Sequence, residues 1–477
     1  MKLKKVDRLQ PLTELVEKLK EEIADLKRQL VEKDLIVSDL QNRLNRNSQN
    51  SSKPPSTDFF RKPKSERSKN GKKAGGQQGH EGSTLKQVVN PDVVQKHEIT
   101  ECKLCQHDLS NVKATYEKRQ IIDTPSTQAI ITEHQFASKK CPGCKEISAV
   151  KIPANLTQAI QYGPKITSLA SYFHYDQFIP YDRISEMFSD LFSVSISKGT
   201  LVSMHETMFE ALKKYESVSC TELLKSPAAC FDETGFAIKG NLNWLHVAST
   251  PTDTLYFPHQ KRGMDAIEAF NVLPQFSGIA HHDHWKSYFK IKNVSHALCN
   301  AHHLRELKSM VENYAQQWAK KMYDHLKLMN KHVLTAKESG KLALSSELII
   351  ELEQKYDEIL QDAKFELPVI ATSGKRGRQK QHPAKNLHDR LTEYKLETLR
   401  FMHDFAASFT NNQAERDIRM VKVKQKISGG FRSKDGAIRF CRIRGQISTF
   451  KKQQKNVYHS FAALIQEHAF QNLSPGA

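Results

Sequence analysis

The order of strand-like and helix-like segments after Pro227 restricts the fold of this 477-residue chain more than any other feature. Three short runs rich in β-branched and aromatic residues follow one another with turn residues between them: AACFDETGFAIKG, LNWLHVAST and TLYFPHQ. KRGMDAIEAFNVLPQF then has a helical pattern, SGIAHHDHWKSYF is predicted to be a fourth strand, and HALCNAHH could form another. Three antiparallel strands, a helix and a further strand begin an RNase H-like fold. We therefore predict a multidomain α/β protein with an RNase H-like core over residues 225–455.

Three acids occupy positions in this order that suit a metal site. Asp232 lies in the first predicted strand, Asp283 ends the fourth, and Glu415 lies in a helix predicted from about Gln413 to Lys424. In phosphodiester chemistry, two Mg²⁺ ions roughly 3.5–4 Å apart stabilise the attacking and leaving oxygens. Mg²⁺ (or Mn²⁺) prefers carboxylate oxygens, and two Asp on neighbouring strands with a Glu on an adjacent helix can supply them. Asp232, Asp283 and Glu415 are therefore the candidate catalytic and metal-binding residues.

Each acid also has an ordinary structural explanation. Asp232 could cap a turn, and Asp283 could pair with one of the three histidines around it. Asn412 followed by Glu415 fits a capping box, in which the Glu accepts a hydrogen bond from a backbone N–H. Other nearby acids compete for the same roles: Asp265, and Glu233, which strand alternation points away from Asp232.

Basic residues are concentrated in separate blocks of a chain whose formal net charge is +19. Residues 46–96 carry 11 Lys/Arg against 4 Asp/Glu, residues 375–385 carry 5 against none, and residues 416–455 carry 13 against 2. A surface that is simply well solvated explains one such block more readily than three. Clustered cations indicate a polyanionic partner, and we expect double-stranded DNA.

The helix that carries Glu415 continues as a series of cations and stops at a Gly-Gly pair. Arg416, Arg419 and Lys422 recur three residues apart, so they share a helix face beside the acid. We predict that these three residues bind the DNA backbone. The alternative is that the arginines pair with carboxylates of a helical insertion predicted over residues 304–400 and have a structural role.

The first 45 residues have the heptad pattern of a coiled coil. Apolar residues fill both seam positions except at Lys33: Leu9, Val16, Ile23, Leu30, Val37 and Leu44 at a, and Leu12, Leu19, Leu26 and Leu40 at d. β-Branched residues at a with Leu at d favour a parallel two-stranded coil, so we predict a homodimer or larger assembly. A helical hairpin within one chain is the alternative, although no turn residue interrupts the pattern.

Two Cys-x-x-Cys pairs follow a basic arm predicted over residues 46–96. Four thiolates suit a tetrahedral, structural Zn²⁺ site, so we predict a zinc-binding ribbon over residues 97–150, with β-like alternation in QAIITEHQFA; its ligands are Cys102, Cys105, Cys141 and Cys144. The sequence shows no secretory signal and no long apolar run, so we expect a cytoplasmic, nucleoid-associated protein without a membrane partner, in which paired cysteines bind metal.

Helical patterns surround and interrupt the predicted core. Residues 155–222 have the pattern of a helix-turn-helix, with Ser197 as the N-cap of its second helix, a pattern that many ordinary helix pairs share. Residues 304–400 are predicted to be a helical insertion, and residues 456–477 a C-terminal helix and tail.

Taken together, the motifs resemble the transposases of the insertion-sequence-66 family, a bacterial DDE group, over nearly the whole chain. The motifs that carry the resemblance are the heptads followed by NSSKPPSTD, then GGQQGHEG, the double Cys-x-x-Cys, DETG, DHWKSY, CNAHHLREL and NNQAERDIR followed by KISGGFRS. The resemblance implies an RNase H-like core, a divalent metal pair, DNA strand transfer at element ends, and catalytic acids at Asp232, Asp283 and Glu415.

The resemblance also bears on details that the residues alone leave open. His284 and Trp285 replace the aromatic–Gly surroundings usual at the second acid. Cys299 and His302 match a Cys-x-x-His feature of such transposases; with only two ligands evident, we expect a packed structural pair. Companion proteins of the element are suggested as partners.

Two other functions are compatible with the same sequence. One is a non-catalytic DNA-binding protein derived from a transposase. The other is a metal-dependent nuclease that cleaves without strand transfer.

Overall fold

The computed structural model describes residues 10–47, 49–51, 87–124, 127–153, 155–156, 158–368 and 381–471. The predicted basic arm, most of the basic loop at 375–385 and the C-terminal tail lie largely or wholly outside the described residues. The seam residue Leu9 and the motifs NSSKPPSTD and GGQQGHEG also lie largely or wholly outside them.

The heptad region forms one uninterrupted helix, α1 (Gln10–Leu44). The apolar side chains of the seam are exposed along it: Val16, Leu19, Ile23, Leu26, Leu30, Val37, Leu40 and Leu44. A helical hairpin within residues 10–44 is excluded, because no turn breaks α1. The seam is exposed in this single chain, so it is available to a second helix. The coiled-coil dimer itself stays a prediction.

The cysteine-rich region contains a small antiparallel sheet, β1 (Ser138–Lys140) and β2 (Ile147–Ala149), on either side of the second cysteine pair. The alternating residues 128–137 were expected to be β-like, but the described part of this stretch forms no strand. Ile130 and Ile131 are each 93% exposed. Alternation produces a strand only where a neighbouring strand and a buried face are present, and this stretch has neither.

Four helices and a π-helical turn follow. They are α2 (Pro164–Ser171), the turn Tyr172–Asp176, α3 (Tyr181–Phe192), α4 (Lys198–Ala211) and α5 (Lys213–Lys225). α3 ends at Ser193 in the left-handed conformation, and Ser197 caps α4 by accepting a hydrogen bond from the Thr200 N–H at 3.1 Å. The predicted helix–turn–helix outline and its N-cap are therefore present. Whether this pair binds DNA stays a prediction.

A five-stranded mixed sheet lies at the centre of the fold. Its strands are β3 (Ala228–Ile238), β4 (Asn241–Ser249), β5 (Thr254–His259), β6 (Ile279–His282) and β7 (Ser295–Leu298), with α6 (Met264–Phe270) between β5 and β6. The strand order is β5-β4-β3-β6-β7. The first three strands pair antiparallel, whereas β6 pairs parallel to both β3 and β7. The first four strands lie in the predicted runs, with β4 beginning one residue before its run, whereas β7 takes up only the beginning of HALCNAHH, whose remainder starts the next helix at Asn300.

Five helices follow the sheet and form a core of their own. They are α7 (Asn300–Tyr314), α8 (Gln317–Glu338), α9 (Ser346–Glu366), α10 (Pro383–Glu393) and α11 (Lys395–His403). Their apolar faces meet around Trp318, Leu326, Tyr356 and Leu399, none of which is measurably exposed. The first of these helices begins, and the last ends, within four residues of the ends of the predicted insertion, residues 304–400.

The chain then returns to the sheet through α12 (Asn412–Ser428), α13 (Lys434–Lys452) and α14 (Val457–Gln471). α12 extends beyond the predicted end at Lys424. It ends at Gly429, whose positive φ of 73° suits glycine. A Cβ on Gly430 would lie 3.2 Å from the Ala237 carbonyl, because the next residue, Phe431, pairs with the end of β3. The Gly-Gly pair therefore lets the chain close against the sheet.

Candidate active site

The strand register sets Asp232 and Asp283 level with each other. β3 and β6 run parallel, and Cys230 lies opposite His281. Two residues further along each strand direction are Asp232, still within β3, and Asp283, just beyond the end of β6. Neither acid has the structural role that was its alternative, a turn cap for Asp232 and a histidine partner for Asp283. Asp232 is in mid-strand rather than in a turn.

The three predicted acids are near enough to interact electrostatically, although their carboxylate oxygens do not all lie within 4.8 Å of one another. Burial raises the pKa of Asp232 well above its ordinary range, and the negative charges of Glu233, Asp283 and Glu415 raise it further. The Asp232 carboxylate accepts one hydrogen bond, from the Glu233 N–H at 2.9 Å. A cation placed among these carboxylates would relieve their repulsion.

Asp283 is oriented by the backbone of its own loop. Its carboxylate accepts a hydrogen bond from the Trp285 N–H at 2.9 Å. The histidines on either side do not pair with that carboxylate: His282 Nδ1 donates to the Asp283 backbone carbonyl instead. Burial lowers the pKa of His282 to about 3 and that of His284 to about 4, so both rings are neutral near pH 7.

Glu415 faces the start of α7 rather than capping its own helix. The N-cap of α12 is Asn411, whose side chain makes no capping hydrogen bond, so the capping box proposed for Asn412 and Glu415 is not formed. Glu415 Oε2 lies 3.5 Å from Arg305 Nη2, and Oε1 lies 3.9 Å from His302 Nε2. The acid is thus directed toward the N-terminal end of α7.

A fourth carboxylate, Glu233, also belongs to the site. It lies on the opposite face of β3 from Asp232, as alternation predicted, and is buried. Arg262 Nε donates to Glu233 Oε1 at 2.7 Å, and the Tyr288 hydroxyl donates to Oε2. Burial and the neighbouring Asp283 raise the pKa of Glu233, while Tyr288 and Arg262 act in the other direction.

Arg262 links Glu233 to Asp283. Its guanidinium lies between two indole rings, 5.1 Å from the centre of Trp244 and 4.4 Å from that of Trp285. Its Nη2 also lies 4.0 Å from Asp283 Oδ2. These two cation–π contacts, together with the hydrogen bond to Glu233, restrict the position of the guanidinium beside Asp283.

Sequence reasoning missed Arg262, did not connect Arg305 with Glu415, and counted Glu233 only as a competitor. The two tryptophans were the available signal for Arg262, since a basic residue between aromatic side chains is a common stacking arrangement. No local sequence pattern could link Arg305 with Glu415, because 110 residues separate them.

The cations on α12 divide into two groups. Arg416, Arg419 and Lys422 are exposed, three residues apart, as predicted. Arg416 hydrogen-bonds to Gln413, Lys422 donates to the Gly235 carbonyl, and Arg419 has no carboxylate partner among the described residues. These contacts do not support the alternative that Arg416 and Arg419 pair with the helical insertion.

Lys424, which the sequence places in the same series, points into the protein. It is 7% exposed, donates to the Gly429 carbonyl at 3.0 Å and lies 4.2 Å from the centre of the Phe431 ring. Burial lowers its pKa to about 8. Lys424 therefore holds the end of α12 and is not part of the exposed cationic face.

The predicted zinc ligands form two local pairs. Hydrogen bonds from the backbone N–H groups of Cys105 and Leu104, and from the Cys105 thiol, lower the pKa of Cys102; Cys141 has the same arrangement with Cys144 and Gly143. Three or more potential ligand atoms lie within 4.8 Å of one another at only one place among the described residues, and it does not include these cysteines. The four sulfur atoms are thus not gathered at one point.

The group that does converge is Cys299, His302 and Glu415. Cys299 and His302 line a cleft of about 240 Å³ together with Asp283, Arg262 and other residues. The expected packed pair of Cys299 and His302 thus has a third neighbour, supplied by α12. Burial raises the pKa of Cys299 to about 11, and burial together with Arg305 lowers that of His302.

The fold and the site together define a class: a mixed α/β protein with acids in or just after two neighbouring strands of its central sheet, beside a helix with an exposed cationic face. The model of the family described as "Transposase IS66 family" matches residues 159–439, more than half of the chain. The chain belongs to the IS66 family of transposases, as the sequence motifs predicted.

Two other comparisons add little to this assignment. A family of unknown function (DUF6444) matches residues 5–86. No curated protein matches the chain. Within the described part of the chain, no helix is both long and apolar enough to cross a membrane.

Proposed function

We propose that this protein is a DNA transposase that cleaves the ends of an insertion sequence and transfers the strands to target DNA. The observation that carries the proposal is the placement of Asp232 on β3 and of Asp283 just after the neighbouring parallel strand β6, with Glu415 near enough for its charge to act on Asp232. The strand order β5-β4-β3-β6-β7, with three antiparallel strands followed by two parallel ones, supports an RNase H-like catalytic core. Working on bacterial DNA, the protein acts in the cytoplasm at the nucleoid.

The donor set of the site fits a pair of hard divalent cations. Asp232, Asp283 and Glu415 would hold Mg²⁺ or Mn²⁺, which supplies the charge that stabilises the attacking and leaving oxygens. Among the residues that the structure describes, none hydrogen-bonds to the buried Glu415 Oε1, which suits a metal ligand. Arg262, held by Glu233, lies beside Asp283, and Arg262 and Arg305 are the cations that would meet a phosphate.

The remaining parts supply DNA contacts and assembly. The exposed face of Arg416, Arg419 and Lys422 holds the DNA backbone beside Glu415. The helices α3 and α4 offer a second DNA-binding surface. The seam of α1 joins two or more copies, and Cys102, Cys105, Cys141 and Cys144 bind a structural Zn²⁺ when the two pairs come together. Companion proteins of the element are further partners.

One assay separates transposition from the two other functions. Purified protein is incubated with Mg²⁺ and DNA carrying the two element ends, and the products are resolved by size. A transposase yields joined products, a nuclease yields cleaved ends only, and a binding protein yields neither. Joined products support the proposal; either of the other two results overturns it.

Alanine variants then test which acids are required for cleavage. Asp232→Ala, Asp283→Ala and Glu415→Ala should each abolish cleavage and keep DNA binding, because the metal pair loses a ligand. Asp265→Ala is the matched control, since Asp265 is an exposed acid paired with Lys261. Cleavage by the Asp283→Ala protein would remove Asp283 from the site.

A further inference from the structure

Three chemically different ligand groups meet where α7 begins. Cys299 is the N-cap of α7, and His302 lies one turn further on the same side of the helix. Glu415 reaches them from α12. One ligand atom from each residue lies within 4.8 Å of the others.

The hydrogen bonds around this cluster leave one ligand atom free. Glu415 Oε2 faces Arg305, but Glu415 Oε1 is buried and has no hydrogen-bond partner among the described residues. This oxygen lies 3.9 Å from His302 Nε2. Buried polar atoms are nearly always satisfied, so an unsatisfied carboxylate oxygen beside an imidazole nitrogen and a thiol suits a metal ligand.

The sulfur atom already has the support that metal-bound thiolates use. The backbone N–H of Asn411 donates to Cys299 Sγ at 3.1 Å. The side-chain amide of Asn411 donates to the Phe231 carbonyl at 2.8 Å, which ties this donor to β3. Such outer contacts fix the position of a ligand and favour its charged form. The position at a helix N-terminus acts in the same direction, against the burial that raises the pKa of Cys299 to about 11.

We propose that Cys299, His302 and Glu415 bind a divalent transition-metal ion of the zinc class. One sulfur, one imidazole nitrogen and one carboxylate oxygen form a mixed set that suits Zn²⁺ or Co²⁺ rather than Mg²⁺. Three protein ligands leave one position of a tetrahedral ion open. The cleft that Cys299 and His302 line gives the ion a route from solvent.

The site shares Glu415 with the proposed catalytic metal pair. An ion held by Cys299 and His302 draws the Glu415 carboxylate toward α7 and away from Asp232 and Asp283. Zn²⁺ therefore inhibits Mg²⁺-dependent cleavage, and this consequence rests on the proposed function. The binding of the ion does not depend on it.

The test is a Co²⁺ titration of the full-length protein, followed by its visible and thiolate-to-metal absorption bands. To remove cobalt bound at the N-terminal cysteines, every protein carries serine at Cys102, Cys105, Cys141 and Cys144. Within this background we compare the parent with Cys299→Ser, His302→Gln and the control Cys441→Ser, which removes a buried cysteine elsewhere.

The parent and the Cys441→Ser control should bind one Co²⁺ and show a thiolate band. Cys299→Ser should lose the band, and His302→Gln should bind Co²⁺ at least 10- to 100-fold more weakly, the loss usual even for outer contacts. His302 is partly exposed, so its variant remains informative if Cys299→Ser fails to fold. Equal binding by the parent and His302→Gln, or no thiolate band in the parent, would overturn the proposal, whatever the result of the cleavage assay.

Discussion

Asp417 and Lys452 form an ion pair at 2.9 Å, with each side chain only 9% exposed. The hydroxyls of Ser249 and Ser448 donate to the same carboxylate at 2.7 and 2.9 Å. Burial would raise the pKa of Asp417, but Lys452 and these hydroxyls outweigh it and hold the pKa below its usual range. Asp417 lies two residues after Glu415, so the pair fixes the helix that presents the acid.

Removing Asp417 should destabilise the protein strongly. Asp417→Ala leaves the Lys452 ammonium buried without its partner, which costs about 3–5 kcal/mol. Urea unfolding followed by circular dichroism measures the loss. The matched control is Asp362→Ala, because Asp362 and Lys321 pair at 3.4 Å with both side chains more than half exposed. That control should change stability by about 0–1 kcal/mol, and equal losses in both variants would contradict the assignment.

Lys424 should make stability depend on pH. Its folded pKa of about 8 lies below the ordinary value, so between these values the unfolded chain binds a proton that the folded protein has released. The free energy of unfolding therefore rises with pH through this window. Relative to Lys424→Met, the wild type should gain about 1 kcal/mol between about pH 7 and 9.

The control for that experiment is Lys426→Met, which changes an exposed lysine on the same helix. The stability difference between wild type and this control should stay constant with pH. A constant difference for Lys424→Met as well would show that the Lys424 ammonium is solvated.

Arg419 should contribute to DNA binding through its charge alone. Arg419→Gln should weaken binding to all sequences alike and lower the salt slope of log K by about one, because one fewer phosphate is neutralised. Titrations at several salt concentrations measure both, with Lys320→Gln on α8 as the control. A lower melting temperature with an unchanged salt slope would instead make Arg419 structural.

The exposed seam of α1 should determine the assembly state. Changing Leu19 and Leu26 to serine removes two d-position side chains that are 47% and 57% exposed in the single chain. The molar mass from light scattering should fall to that of a monomer, because the seam supplies the apolar burial. Glu21→Ser, at a position outside the seam, should keep the parent mass. If the leucine variant also keeps it, the dimer interface lies elsewhere.

The elements of this fold could be predicted because their signals are local. Alternation identified β3 to β5, heptads identified α1, and Ser197 identified the start of α4. Each of these patterns is set by neighbours a few residues away. The positions of Asp232, Asp283 and Glu415 within those elements followed directly.

Burial and pairing of charges could not be predicted in the same way. The 416–455 block reads as uniformly basic, yet Arg444 pairs with Asp176 and Lys452 with Asp417 in the interior, and Lys424 is also buried. Part of the charge that the sequence assigns to DNA therefore stabilises the fold. Only the packing of α13 against the sheet and the earlier helices decides which cations remain exposed.

The sequence by itself determined the strand and helix order, the three acids and the Cys-x-x-His spacing of Cys299 and His302. Tertiary structure alone decided that Glu415 completes a group with those two residues, and that Arg262 joins Glu233 to Asp283. The physical reason is that ligand sets and ion pairs depend on distances between side chains, and the folded sheet brings together residues that lie from about 20 to more than 100 positions apart.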